Sequence, residues 1–496
     1  MDFRFRISDF GFKIMVSISV AVACCLLPVF SRSPAFAQNE NEEELRRERV
    51  EKVEEMRRTE DISGSSFRFW KEPTKTRGVL FDYGSTWSPS YTTATNTDRN
   101  AGKPDAEGRT WTQDFNLYGL FVTVDRQSKF YFRSATKFTD ARKRENSSPG
   151  TFRNRLDEPS IDMLYWEHNM QGKKFKNTIT LGRQFADVGR GIAYGLTADG
   201  ILWKTKSRKM EFNWFWFRQE PGDNNIDPSS PGSGRTKRWF TAAEFKYRRW
   251  GQTADFFTLL NRDKNDERAV GGQKYHLDSN YYGIGLEGGF FTKLSYWSEF
   301  IVETGKTYAN GAAASRINVD AKALDAGLRY FWGGDIAPTL YAEYAFGSGD
   351  ADRTGSATSS KGGSTFGDDS IFRAFGGVSM GNALAPSLAN IRIYKGGASF
   401  KPFGRVASDL LNDMTLQGAY YMFRTAAKGG ATSDALISAG ANAKSDDIGG
   451  EADLQLSWKI TSDVSYQLKL GQFKPGAAYA TRAKENYMKF KWTFDL

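Results

Sequence analysis

The chain has 496 residues, of which 15% are aromatic and 25% are charged, and its formal net charge is +10. Its mean hydropathy is −0.55, and beyond the N-terminus it has no run of about 20 apolar residues, so a bundle of membrane helices is excluded. Both cysteines, Cys24 and Cys25, lie in the N-terminal apolar run, and cleavage after that run excludes disulfide frameworks, cysteine nucleophiles and thiolate metal sites.

Residues 1–37 are typical of a signal peptide. The positive residues at its start are Arg4, Arg6 and Lys13. An apolar run follows over residues 14–30, and residues 35–37 read Ala-Phe-Ala, which is a small-x-small cleavage motif. A single membrane helix is the alternative, but the run is short and Pro34 follows it. We therefore expect an exported chain that begins at Gln38.

Residues 38–65 form a charge-dense segment ahead of the first expected strand. Residues 38–61 carry six basic and ten acidic side chains, and they lack an apolar stripe wide enough to dock firmly. The sequence predicts a solvated periplasmic N-terminal extension, with a gate or a handle for a periplasmic export scaffold as the alternative. The remainder of the chain then carries a net charge of +12, which favours an anionic solute or polymer over nucleic acid as the partner of an exported protein.

Residues 66–496 predict an all-β fold, a single transmembrane antiparallel β-barrel. Large apolar and polar residues alternate, as in the final eight residues, and a wall between lipid and water requires this period of two. Short periplasmic turns and long extracellular loops are expected to alternate along the chain. About 18 strands are predicted, near 77–90, 110–125, 128–139, 159–169, 175–186, 197–205, 208–219, 236–248, 251–262, 276–289, 292–306, 317–332, 338–348, 387–402, 413–427, 447–460, 463–474 and 484–496.

The same alternation assigns charged strand residues to the lumen, because a charge at the lipid midplane costs about 2–4 kcal/mol. The lumen-facing basic residues, which form the expected substrate path, are Lys129, Arg133, Lys137, Lys176, Lys246, Arg248, Arg329, Arg392, Lys459, Lys469, Lys489 and Lys491. The lumen-facing acidic residues, which dilute the positive field, are Glu211, Glu244, Glu299, Glu343, Glu451 and Asp453. Lysine and arginine in a pore select anions, although mixed charges also keep any water-filled pore wet.

The longest connection runs from Asp350 to about Leu388 and is expected to divide into two parts. Residues 351–367 are rich in Gly and Ser and are predicted to project outward. Residues 371–388 contain Ile, Phe, Val and Met, which is unusual for a solvated loop, and long connections are often functional. This second part is predicted to fold against the barrel mouth and narrow the lumen.

Catalysis, cofactors and metals have little support in the sequence. The chain has two histidines, His168 and His276, and neither has a recognisable serine partner at strand spacing. Acidic residues at 350–352 and 368–369 are calcium candidates, but they lack EF-hand spacing and suit turns better. We expect no enzyme activity, no cofactor and no metal site.

Several segments together resemble the alginate export family of outer-membrane porins. Residues 180–184 (TLGRQ) resemble a Gly-Arg-Gln strand end, and residues 341–350 (YAEYAFGSGD) resemble the strand that precedes a long loop. Residues 448–453 (IGGEAD) and 468–476 (LKLGQFKPG) are similar to the C-terminal strand pair. The resemblance implies an eighteen-stranded barrel with an electropositive lumen.

The function that the resemblance implies is export of an anionic, alginate-like exopolysaccharide from the periplasm to the cell exterior. Outer-membrane lipid and lipopolysaccharide are the expected neighbours of such a barrel in the bacterial outer membrane. A general or solute-specific uptake porin for small anionic nutrients remains the alternative in the same fold. A barrel enzyme that acts on lipid or lipopolysaccharide remains the alternative from another class.

Overall fold

The structure is a computed structural model, which describes residues 80–100, 107–144, 151–219, 238–264, 276–309, 315–353, 367–377, 380–406, 408–434, 436–437 and 445–496. The expected signal peptide and the N-terminal extension lie outside the described residues. Across the described ranges, no helix is long and apolar enough to cross a membrane.

Strands dominate the described residues, which contain a single four-residue helix. The elements are β1 (Leu80–Thr95), β2 (Glu107–Val122), β3 (Ser128–Arg144), β4 (Thr151–Leu156), β5 (Ser160–Gln171), β6 (Lys176–Val188), β7 (Tyr194–Lys206), β8 (Met210–Arg218), β9 (Arg238–Arg249), β10 (Gln252–Asp263), β11 (Asp278–Phe291), β12 (Leu294–Tyr308), β13 (Arg316–Phe331), β14 (Thr339–Gly347), β15 (Ile391–Phe400), α1 (Asp409–Asn412), β16 (Met414–Arg424), β17 (Asp447–Lys459), β18 (Val464–Pro475) and β19 (Glu485–Asp495).

The strands close into a single antiparallel barrel. The last strand, β19, pairs with the first, with Tyr91 opposite Phe490. The long strand β3 pairs with both β4 and β5, so β4 and β5 share one position in the wall. The barrel therefore has eighteen wall positions, which confirms the predicted fold and strand number.

Side chains alternate between an apolar outer face and an inner face that is more polar and more buried. On β3, Phe130 is 41% exposed whereas the next residue, Tyr131, is 4% exposed. On β10, every second residue from Thr253 to Asp263 is buried, and the residues between them are half-buried. Because a lipid-facing side chain of an isolated barrel is exposed, this pattern separates the lipid face from the lumen face.

The two ends of the barrel differ in their connections. At the end that holds the C-terminus, most hairpins close through two to five residues, such as Trp250 and Gly251 between β9 and β10. Trp250 adopts a positive φ of 51° in that turn. The connection from β15 to β16 is longer and contains α1. At the opposite end, the connections after β8, β14 and β16 are much longer, which is the asymmetry expected of a barrel in the outer membrane.

Part of the lumen is filled by protein. A cluster of buried apolar residues lies on the inner side of β6 to β18, and it includes loop residues as well as wall residues. Ile192, which precedes β7, and Phe372, in the connection before β15, are both 0% exposed. An eighteen-stranded barrel is too wide for its wall side chains alone to fill, so the inward-folded loops supply this packing.

Candidate substrate path

Two connections meet inside the mouth of the barrel. The backbone N–H of Phe375 donates to the carbonyl of Ala193 at 3.1 Å, and that of Gly376 donates to Ile192 at 3.1 Å. The ring of Phe375 packs edge-on against Phe240 of β9, with ring centroids 4.9 Å apart. The segment predicted to fold inward therefore contacts both the β6–β7 connection and the far wall. We name the described residues 367–377 and 380–390 the inner loop.

Wall carboxylates hold the inner loop. Glu451 of β17 accepts hydrogen bonds from three successive backbone N–H groups, those of residues 382–384, at 2.6 to 2.9 Å. Glu303 of β12 accepts from the N–H of Arg373 at 2.9 Å and from the hydroxyl of Tyr281 at 3.0 Å. These two glutamates therefore attach the inner loop to the wall at two separate points along its length.

The β6–β7 connection is attached in the same way. The N–H of Gly189 donates to Glu244 at 2.7 Å, and that of Arg190 donates to Glu299 at 2.6 Å. Glu244, Glu299 and Glu451 were expected to dilute the positive field along the substrate path. They lie on the inner face, but their oxygens bind loop backbone, which is a structural role that alternation alone could not indicate.

A buried ionic cluster links the inner loop to Arg353, which precedes it in the same connection. The carboxylate of Asp369 binds the guanidinium groups of Arg353 and Arg373, and all three side chains are almost fully buried. Burial opposes ionisation of Asp369, but the two guanidinium groups outweigh burial and hold the pKa of this carboxyl below its ordinary value. Burial is also the main reason that the pKa of Arg353 falls to about 10. Asp369 thus holds the two arginine side chains, and with them two parts of the connection, close together.

The described acidic residues of this connection that were calcium candidates make turn contacts and ion pairs. Asp350 accepts N–H groups of Asp352 and Ser370, which is a turn-forming role, and Asp369 is committed to arginine. Over the described residues, no group of three or more His, Cys, Asp or Glu side chains is placed to hold a metal ion.

Many of the basic residues expected along the substrate path are neutralised by a carboxylate. Arg133 binds Asp162, and Lys246 lies 3.2 Å from Glu244 and 3.8 Å from Asp255. The other ion pairs are Lys129–Glu167, Lys137–Asp114 and Arg248–Glu211. Such pairs add little net field to the lumen, so these five residues are poor candidates for binding an anion.

Aromatic side chains bind several lumen cations. The guanidinium groups of Arg190 and Arg329 lie 5.0 and 5.6 Å from the ring centroid of Trp297. Lys395 lies 2.9 Å from Glu343 and also contacts two tyrosine rings. Sequence reasoning missed Arg190, a loop residue without periodicity. It also missed Lys395, although the alternation from Ile391 indicates its inward direction.

Arg392 departs from its predicted position. It stands between Ile391 and Ile393, which are 2% and 1% exposed and belong to the interior cluster. Its own position therefore belongs to the outer face, where its guanidinium donates to the carbonyl of Ala426 at 3.0 Å. The prediction of a lumen-facing Arg392 is wrong because a shift of one residue moves a strand position to the opposite face.

Three lysines form a cationic patch on β18 and β19, which we name the lysine wall: Lys469, Lys489 and Lys491. Lys469 is directly opposite Lys489, and the adjacent inner positions on β1 are Ser90 and Thr92, opposite Lys491 and Lys489. Within the described part of the chain, neither Lys469 nor Lys491 lies within ion-pair distance of a carboxylate. Their ammonium groups are therefore available to a solute.

The remaining two basic residues lie at the periplasmic end. Lys459 is the last residue of β17 and Lys176 is the first residue of β6, and both are exposed. The alternation of inner and outer residues along their strands places both side chains on the inner face, at the periplasmic entrance to the lumen. An anion that enters from the periplasm meets Lys459 before it reaches the lysine wall.

His168 has a serine neighbour that the sequence did not indicate. Ser128 Oγ lies 2.8 Å from His168 Nδ1 because the two residues are directly opposite each other on β3 and β5. The imidazole also stacks on Trp166, with centroids 5.6 Å apart. This contact is set by strand pairing and lies at the barrel rim, so we read it as structural.

Comparisons with known proteins agree with the geometry. The profile of the alginate export family matches residues 105–494. Among solved structures, OccK5 (OpdH) of Pseudomonas aeruginosa has a TM-score of 0.50 at 11% identity, covering 84% of this chain and 98% of that one. OccK7 (OpdD) of the same organism has a TM-score of 0.49 at 13% identity, with 84% and 99% covered. These likenesses concern the fold. A search of curated proteins found no match.

Proposed function

Because the chain belongs to the alginate export family, we propose that it is an outer-membrane conduit through which an anionic, alginate-like polysaccharide leaves the periplasm. The family and the barrel fold imply the outer-membrane location. The observation that carries the proposal is the lysine wall, where three ammonium groups share one stretch of the inner surface. In the described residues, Lys469 and Lys491 have no carboxylate within ion-pair distance, whereas Arg133, Lys246 and Arg248 are paired with carboxylates.

The lysine wall suits a moving polyanion. Lysine is a flexible point charge with three donors, and neighbouring strands are about 4.8 Å apart, so one carboxylate can contact Lys469 and Lys489 together. Conduction needs several weak sites rather than one tight site. Serine and threonine hydroxyls beside the lysines, at Ser90 and Thr92, offer hydrogen bonds to sugar hydroxyls without adding charge.

An uptake porin for small anionic nutrients is the second candidate, and the inner loop is the observation that favours it. The loop extends from Phe375, against β9, to residues 382–384, against β17, and so occupies part of the cross-section at the mouth. A narrowed mouth suits small solutes. The same lysine wall would then concentrate a small anion below the constriction.

Ion selectivity tests the role of the lysine wall. In planar bilayers we expect anion preference at low salt, weakening near 1 M salt, where the Debye length falls to about 3 Å. Replacing Lys469, Lys489 and Lys491 with glutamine should abolish most of that preference. Cation selectivity of the unmodified barrel would contradict both candidate functions.

The matched control removes three lysines from periplasmic turns: Lys173, Lys174 and Lys209 to glutamine. These side chains are exposed outside the strands, and the change in net charge is identical. We expect the control to keep its anion preference. An equal loss in both triple variants would mean that overall charge, rather than the lysine wall, sets selectivity.

Size dependence separates the two candidates. Oligouronates of increasing length are added to the periplasmic side of liposomes or bilayers that contain the barrel. An export conduit passes chains of many sugars, which block the current transiently and appear on the far side. Passage of only mono- and disaccharides would favour the uptake porin.

A further inference from the structure

Two arginines on the outer surface of the barrel flank one tryptophan. Trp239 of β9 is directly opposite Arg218 of β8 and, on its other side, directly opposite Arg262 of β10. All three alternate with buried inner residues, including Phe217 and Asn261, both 0% exposed. They therefore lie side by side on the lipid face, and we name them the outer arginine row.

The depth of this row corresponds to the boundary of the outer leaflet. Counted from the periplasmic end, Arg218 is the ninth residue of β8, and Trp239 and Arg262 are the eleventh residues of β9 and β10. A tilted strand crosses the hydrocarbon in about 9–11 residues. A lipid-facing charge costs about 0–1 kcal/mol near the interface and more at the midplane, so the boundary is where such arginines are tolerated.

In the described part of the chain, neither arginine of the row has a carboxylate within ion-pair distance. Asp199 is directly opposite Arg218, and against the effect of burial the charge of Arg262 helps to hold the pKa of Asp278 below its ordinary value. Arg262 donates to the amide oxygen of Asn280 at 2.7 Å and to two backbone carbonyls. Arg218 is exposed, and no carboxylate of the described residues lies within ion-pair distance of it. By contrast Arg183, on the same face, is bound by both oxygens of Asp199 at 2.8 and 2.9 Å.

Aromatic packing continues the row toward the membrane centre. Trp216 is two residues before Arg218 on the same face, and its ring lies 4.5 Å from that of Trp239, centroid to centroid. Indole rings concentrate at the membrane–water boundary because one end is apolar and the other is a hydrogen-bond donor. A flat apolar surface thus adjoins two guanidinium groups that are about 10 Å apart across two strand spacings.

We propose that the outer arginine row binds a phosphorylated glycolipid of the outer leaflet, with Arg218 and Arg262 on its phosphate and the tryptophans on its sugar and acyl chains. Guanidinium binds phosphate through paired, charge-assisted hydrogen bonds. The extracellular position of the row selects a lipid of the outer leaflet. The inference concerns the outer surface and is independent of what passes through the lumen.

The opposite arc of the barrel has no outward arginine pair at this depth in the described strands. At the same depth, the outward residues are Gln472, ninth on β18, and Asn486, tenth from the periplasmic end of β19. Their amides are hydrogen-bonded to each other at 2.9 Å. These neutral groups satisfy one another, and the exposed outward cation of β18 at this end is Lys474, its eleventh residue. Lysine lacks the planar fork of arginine, so paired hydrogen bonds to a phosphate are expected on the β8–β10 arc.

The test compares two double variants in lipid-binding titrations with hexa-acylated bisphosphoryl lipid A in nanodiscs. Arg218→Gln with Arg262→Gln should lower the affinity about tenfold or more, since two charge-assisted contacts are lost. The control is Arg109→Gln with Arg142→Gln, which are directly opposite each other on β2 and β3. They lie on the same outer face but fourteenth and fifteenth from the periplasmic end, beyond the hydrocarbon, and should change nothing.

Retention of heat-modifiability and of anion selectivity in the first double variant shows that the barrel is intact. Equal affinity of the two double variants overturns the proposal. So does equal binding of dephosphorylated lipid A by the unmodified barrel. Equally tight binding of phosphatidylglycerol, which lacks the glucosamine phosphate, overturns the assignment to a glycolipid.

Discussion

The carboxylate of Glu451 accepts the backbone N–H of Asn382 at 2.6 Å, although the two residues are 69 positions apart. Glu451 belongs to the wall, on β17, and Asn382 belongs to the inner loop. One carboxylate thus joins the wall of the barrel to a segment that folds into its interior. The attachment explains why an acidic residue is buried, at 0% exposure, in a lumen with a basic excess.

Replacing Glu451 with glutamine should loosen the inner loop. An amide has one acceptor oxygen and no charge, so it cannot match three N–H groups, and each lost charge-assisted bond weakens docking by about 1.5–3 kcal/mol. We expect higher and noisier single-channel conductance. The control is Glu287→Gln, at an exposed inner position near the periplasmic end of β11, which should leave conductance unchanged. If Glu451→Gln has the same mean conductance and current noise as the unmodified channel, Glu451 does not anchor the inner loop.

Gly376 is expected to be intolerant of a side chain, whereas its neighbour Gly377 is tolerant. A Cβ at Gly376 meets the carbonyl oxygen of Gly191 at 1.8 Å, but a Cβ at Gly377 meets nothing within 4 Å. Gly376→Ala should separate the inner loop from the β6–β7 connection and raise conductance. Gly377→Ala should behave as the unmodified channel. Identical conductance of the two alanine variants would show that this contact does not shape the mouth.

Leu454 and Ser457 test the assignment of faces on β17. Leu454 is 43% exposed and is the sixth residue from the periplasmic end of the strand, close to the midplane. Leu454→Arg should cost about 2–4 kcal/mol and impair assembly. Ser457→Arg places the same charge on the inner face and should fold. The measurement is the heat-modifiable band on gels, and equal assembly of both variants would refute the assignment.

Lys246 is expected to stabilise the barrel rather than to select ions. Its ammonium group lies between Glu244 and Asp255, and removal of one partner from a buried pair costs about 3–5 kcal/mol. Lys246→Gln should therefore lower the thermal unfolding temperature with little change in ion selectivity. Lys469→Gln should lower anion selectivity with little change in the thermal unfolding temperature. Both quantities are measured for both variants. A loss of selectivity in Lys246→Gln but not in Lys469→Gln would contradict the roles that we assign to the two lysines.

Local physics explains why the fold was predictable from the sequence. Neighbouring strand residues face opposite sides of the wall, one toward lipid and one toward the lumen. The alternation of residues such as Phe130 and Tyr131 therefore indicates the two faces without knowledge of any distant contact. The apolar content of residues 371–377 likewise indicated burial before any contact was known. The short strand β4 was missed, since residues 151–156 fell between the predicted strands near 128–139 and 159–169, and this strand exists through its pairing with the extended end of β3.

The electrostatics of the lumen was decided by the tertiary structure. The sequence determined that residues such as Arg133, Lys246 and Lys469 stand in alternating strands, but it could not distinguish them. Arg133 meets Asp162 across a register irregularity, whereas Lys469 meets another lysine. Ion pairing depends on which strand positions are opposite each other and on which loops fold back. Such distances between remote residues exist only in the closed barrel, where one residue of register exchanges lumen for lipid.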